Sequence, residues 1–171
     1  AMTIVQIENG QGMIIGDMTG VGKGRIAAAV LRYGINHGLK PIFLTETPGL
    51  FSDLYRDLVD IDPTQNKSWS KNVKPFIVND KNSSGDPTIT DKDGNVVHKL
   101  MPAATKKGIF SNKQIPKDAN FVLATYSQFG TSSDKPSAKK DFFAAISEGN
   151  ILILDESHNV AGQSNRGEFF K

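Results

Sequence analysis

Gly16-Asp17-Met18-Thr19-Gly20-Val21-Gly22-Lys23-Gly24-Arg25 sets glycines and one lysine between an apolar run, Gly12 to Gly16, and an alanine-rich stretch of helical spacing. Gly20 and Gly22 let the backbone turn so that successive N–H groups face one anion. The helix that follows adds its positive end, and Lys23 can reach β- and γ-phosphates. The expected ligand is a nucleoside triphosphate, with Thr19, Gly20, Val21, Gly22, Lys23, Gly24 and Arg25 around its phosphates. The loop departs from the pattern G-x-x-x-x-G-K-S/T at two places. Asp17 stands at the first glycine, and Gly24 stands where a hydroxyl usually meets Mg²⁺. The metal then depends on water, phosphate and a distant carboxylate, with Thr19 as a weaker candidate. The plain alternative is a glycine-rich turn carrying an exposed lysine.

The second segment is Ile151-Leu152-Ile153-Leu154-Asp155-Glu156-Ser157-His158, an apolar strand ending in two carboxylates. In a phosphohydrolase Asp155 holds the hydration shell of Mg²⁺ and Glu156 orients and polarises the attacking water. His158 is placed to relay nucleotide state to a neighbouring domain. An acidic pair favoured by a helix dipole is the structural alternative. It weakens once a phosphate loop lies 132 residues upstream, because each segment supplies what the other lacks.

Such groups need strands and helices to hold them, and the chain alternates the two. Gly12 to Gly16 reads as a buried strand, and Arg25 to Tyr33 as a helix stopped at Gly38 with His37 in its last turn. Pro41 to Thr45 is a strand. Leu50 to Ile61 puts Leu50, Phe51, Leu54, Leu58 and Ile61 on one helical face. Phe76-Ile77-Val78 is a strand, and Thr88 to Thr90 pairs with Val96-Val97 across an Asp-Gly turn. Phe121 to Ala124 is a strand, and Ser137 to Glu148 a helix with Phe142, Phe143 and Ile146 inward. The unbroken run Ile151 to Leu154 reads as a strand buried on both faces. The fold class is α/β, a mainly parallel sheet flanked by helices, with residues 80–118 as a lysine-rich insertion. Ligands of such sheets sit at the carboxyl ends of the strands.

Composition excludes other classes. The 171 residues are 38% hydrophobic and 22% charged, an ordinary single domain, with no cysteine for a thiolate nucleophile, a Cys-ligated zinc or a disulfide framework. His37, His98 and His158 are scattered. No apolar stretch approaches the ~20 residues of a membrane span and no signal peptide is visible, so the default is a cytoplasmic protein with no membrane partner. Residues 64–117 hold ten lysines against four aspartates, a net +6 that leaves −4 for the rest. That face could meet nucleic-acid phosphate or could be a solvated loop.

The chain resembles the superfamily 2 helicases and translocases, in particular the strawberry notch type. The resemblance rests on Thr19-Gly20-Val21-Gly22-Lys23-Gly24-Arg25, Arg56-Asp57-Leu58 with Asp60-Ile61, Ala124-Thr125-Tyr126-Ser127 and Asp155-Glu156-Ser157-His158, in the expected order over about residues 12–160. That subgroup also places glycine after the lysine, while Ser157 stands where it usually has cysteine. The resemblance implies a RecA-like ATPase domain, taking ATP and Mg²⁺, that couples hydrolysis to movement on nucleic acid, DNA rather than RNA. It places Thr45, Thr47 and Gly49, then Thr125 and Ser127, along the nucleic acid, where hydroxyls and backbone N–H groups bind phosphate without reading sequence. The alternative for Thr45, Thr47 and Ser127 is helix capping, and Tyr126 reads as core. Residues 1–171 are expected to be one such domain from a longer chain, partnered by a second RecA-like domain, in a bacterial, phage or mobile-element setting. A nucleotide-gated scaffold with little turnover is the main rival, motivated by Gly24.

Overall fold

The computed structural model describes residues 22–81, 88–129 and 137–155. Helix α1 spans Lys23–Asn36, strand β1 Ile42–Thr45 and helix α2 Leu50–Asp60. A 3₁₀ turn, Gln65–Lys67, runs into the short α3, Ser68–Asn72, and then β2, Pro75–Ile77. The hairpin of β3 (Ile89–Thr90) and β4 (Val96–His98) leads to α4, Ala103–Asn112. Strand β5 (Phe121–Thr125), a 3₁₀ turn (Tyr126–Gln128), α5 (Ala138–Ser147) and β6 (Leu152–Leu154) follow.

The main sheet is parallel, in the order β2-β5-β1-β6. Alternation along the strands sends Phe43, Ile77, Phe121, Leu123 and Ile153 to one face, where they meet α1, α2 and Ile89 of the hairpin. Ile42, Leu44, Phe76, Val78, Val122 and Ala124 face the other way, against Phe110 of α4 and Phe142, Phe143 and Ile146 of α5. The result is helix, sheet and helix in three layers, as expected for an α/β chain. No helix among the described residues is long and apolar enough to cross a membrane.

Local chemistry explains the boundaries. Helix α1 ends where Gly38 adopts a positive φ of 78°, its N–H bonding to the Ile35 carbonyl while that of Leu39 reaches the Gly34 carbonyl. This paired closure favours glycine at the left-handed position. The hairpin turn is organised by the Asp91 carboxylate, which accepts from the N–H groups of Asp93 and Asn95. Pro75 opens β2 at an end of the described sheet, where a missing N–H is tolerated.

The lysine-rich stretch 80–118 contributes to the core: Ile89 is fully buried, Val97 and Leu100 pack on one core cluster, and Met101, Ile109 and Ile115 on the other. Lysine 106 is itself 1% exposed. Its ammonium donates to the carbonyls of Asn79 (2.5 Å) and Val78 (3.4 Å) and pairs with the Asp80 carboxylate at 2.8 Å. One expectation is corrected: β6 is not buried on both faces. Leu152 and Leu154 are 38% and 36% exposed, because in register with Ile42 and Leu44 they point to the α4/α5 side, beyond the cover of those helices.

Candidate functional site

The carboxyl edge of the sheet collects the polar residues. Thr45 and Thr125 end β1 and β5 in register, and Asp155 follows β6. The N–H of Asp155 still bonds to the Leu44 carbonyl at 2.9 Å, which extends the ladder one residue past the strand. The Thr45 hydroxyl donates to Asp155 Oδ2 at 3.2 Å, and the Tyr126 hydroxyl donates to the Asp155 carbonyl at 2.6 Å. Three neighbouring backbone and side-chain groups thus fix the acid in place. Its other carboxylate oxygen has no donor among the described residues.

On the far side of β5, Asn79 follows β2. Its amide donates to the Thr125 hydroxyl at 2.8 Å and its carbonyl accepts the Thr125 N–H at 3.0 Å. Thr125 in turn shares a 2.8 Å hydrogen bond with the Ser127 hydroxyl. Asp80, next in the chain, is held by Lys106 and Lys139, each at 2.8 Å, and Lys139 also donates to Gln128. Burial pushes the Asp80 carboxyl up, but the two lysines outweigh it and leave it below its ordinary value. Sequence reading passed over Asn79; the available signal was its place directly after an apolar run, the same position Thr45, Thr125 and Asp155 take after theirs.

Thr45 and Thr125 are 0% and 1% exposed and their hydroxyls are committed inside the protein. Direct contact with a nucleic-acid backbone is therefore not what their geometry offers. They orient neighbours instead. Thr47, Gly49 and Ser127 are exposed at the same edge. Neither Thr47 nor Thr45 caps α2, whose N-terminus has no side-chain cap. Tyr126 is fully buried, as expected of a core residue.

Lys23 opens α1 and is partly exposed; Gly22 before it has φ +84°, a left-handed turn that a side chain would strain. Position 24 faces α2: a Cβ built on Gly24 meets the Asp57 carboxylate. Arg25 reaches the same helix, 4.0 Å from Asp57 and 3.4 Å from Asp60. Burial raises the Asp57 pKa, Arg25 opposes the rise, and Asp60 and Asp53 add to it. Thr19, Gly20, Val21, Glu156 and His158, with the strand expected at 12–16, lie outside the described residues.

The model of the family described as P-loop containing NTP hydrolase pore-1 matches residues 2–168, nearly the whole chain. The chain belongs to this family. No curated protein and no solved structure matches it. P-loop NTP hydrolases generally bind nucleotide with Mg²⁺, and Asp155 fits such an ion: a hard carboxylate oxygen, with no donor among the described residues, on the strand edge where ligands of parallel sheets bind. Among the described residues no group of three or more His, Asp or Glu side chains gathers as a metal cage.

Proposed function

We propose that the chain is the first RecA-like ATPase domain of a superfamily 2 helicase or translocase of the strawberry notch type, coupling ATP hydrolysis to movement on DNA. The observation that carries this reading is the carboxyl edge itself. Asp155, tied to Thr45, lies beside the Thr125-Tyr126-Ser127 turn, and the Tyr126 hydroxyl bonds directly to the Asp155 backbone. An acid that senses nucleotide is thereby coupled to a turn that faces the track. In this reading Lys23 neutralises the β- and γ-phosphates and Asp155 holds Mg²⁺ through water. Glu156 polarises the attacking water, and His158 passes the nucleotide state to the second RecA-like domain. Bound Mg²⁺ supplies charge stabilisation on the phosphate oxygens. Gly20, Val21, Gly22, Gly24 and Arg25 give backbone contacts. Thr47, Gly49 and Ser127 meet the DNA backbone, with Thr45 and Thr125 behind them.

The test is ATP hydrolysis without nucleic acid, with single- and double-stranded DNA and with RNA, using Lys23→Ala as the blank. The expected result is stimulation by DNA that vanishes in the blank. ATP binding without hydrolysis under every condition would instead support a nucleotide-gated scaffold, the reading that Gly24 favours. Glu156→Gln separates the two: it abolishes turnover and spares binding if the site is catalytic.

A further inference from the structure

The opposite, amino edge of the sheet holds an open cleft of about 460 Å³ between the start of β2 and the segment following β4. Lys74 and Asn120 fix that edge by exchanging hydrogen bonds, the Lys74 N–H to the Asn120 side chain at 2.8 Å and the Asn120 N–H to the Lys74 carbonyl at 2.7 Å. Lys71, Lys74 and Lys99 line the cleft. All three are exposed, and none has a hydrogen-bonded or ionic side-chain partner among the described residues. Three lysines that line one cleft with a single carboxylate, Asp118, leave a surplus of positive charge that a bound anion would offset. A fourth lining residue, His98, has a buried Nε2 with no hydrogen-bond partner. Its pKa is lowered by burial and further by the Lys74 ammonium.

We propose that this cleft binds the phosphomonoester of a nucleotide-sized ligand, with the phosphate on Lys71, Lys74 and Lys99 and the base against Val97 and Met101. Charge selects the group. Asp118 also lines the cleft, so three lysines less one carboxylate leave two positive charges, and a phosphomonoester carries about −1.5 to −2 at neutral pH. A backbone phosphodiester, with a single charge, balances only half of that. Size selects the ligand: the volume lies within the roughly 300–1,000 Å³ of small-molecule sites and far exceeds inorganic phosphate. Lysine, a compact point charge, suits phosphate, whereas planar recognition of peptide carboxylates favours arginine, and the cleft has none. The same chemistry is offered by a free mononucleotide and by the 5′-phosphorylated end of a strand. The site lies at the opposite sheet edge from Asp155 and does not depend on the hydrolysis reading.

The experiment is a titration of the ¹⁵N-labelled protein with AMP, followed by amide chemical shifts, with adenosine as the phosphate-free control. We expect saturable shifts at residues 71–74, 76, 77 and 97–101, none of them with adenosine. Lys74→Gln/Lys99→Gln, which alters two exposed side chains and leaves the circular dichroism unchanged, weakens binding about tenfold or more. Competition by 5′-phosphorylated oligothymidylate, but not by the unphosphorylated strand, extends the site to strand ends; competition by neither leaves the free nucleotide as its source. The proposal is overturned by AMP shifts confined to residues 22–25, by equal shifts with adenosine, or by undiminished binding in the double variant. Displacement of AMP by an oligoglutamate peptide at equal concentration would likewise overturn it, assigning the cleft to an acidic protein segment.

Discussion

Thr45 commits a buried hydroxyl to one oxygen of Asp155, and the consequence is specific to that bond. Thr45→Val keeps the shape and removes the donor. A residue that orients a metal-binding carboxylate is typically worth about 10- to 100-fold in metal affinity or activity. Titration of Mg²⁺ against turnover at saturating ATP should show that loss, while ATP binding without metal stays near the parent value. Unaltered Mg²⁺ dependence would leave the threonine a packing residue. Tyr126→Phe probes the other anchor, the 2.6 Å bond to the Asp155 carbonyl. It should cost about 0.5–1.5 kcal/mol in chemical denaturation, the usual net worth of such a bond.

At the level of elements, α4 behaves as core despite its composition. Lys106→Met strands the carbonyls of Val78 and Asn79 and frees Asp80 from one of its two lysines. A loss of about 1–3 kcal/mol is expected, whereas Lys107→Glu, on the exposed side, should stay within about 0.5 kcal/mol. Asp62 offers a pH test in the loop that carries α3. Burial pushes its carboxyl up, but hydrogen bonds from Ser70 and Thr64 outweigh that and hold it well below the usual carboxylate range. A folded-state pKa below the unfolded one stabilises the protein above the unfolded value, about 3.9, and the gain is lost as pH falls further. Asp62→Asn should therefore lose about 2 kcal/mol at neutral pH and show a shallower acid limb; an unchanged pH profile would refute the assignment. The strands at β1, β2 and β5 and the helices α1, α2 and α5 were legible because apolar spacing reports burial directly. Helix α4 was not, since its buried side chains are Lys106 and Phe110 and periodicity counts a lysine as outward. The pairing of Thr45 with Asp155 was equally hidden: the residues are 110 apart, and which strand adjoins which is not written in either one.

For the whole molecule, ligand binding and stability are linked. If Lys23 and Asp155 serve one nucleotide, Mg²⁺·ATP at about 100 times its Kd should add about 2.7 kcal/mol to stability. The corresponding rise in Tm should disappear in Lys23→Ala; persistence of the full shift would place the nucleotide elsewhere. The positive charge of residues 64–117 is likewise not one surface, because Lys106 faces inward while Lys71, Lys74 and Lys99 line the cleft at the amino edge. The sequestered Lys106 amine has a further use. With its side chain 2% exposed, it is shielded from acylating reagents that modify the exposed Lys107 at once. The rate at which Lys106 becomes labelled then clocks the opening of α4 from the sheet, a local excursion that global denaturation averages away. If nucleotide slows that labelling, the carboxyl edge and α4 move as one body through Asn79.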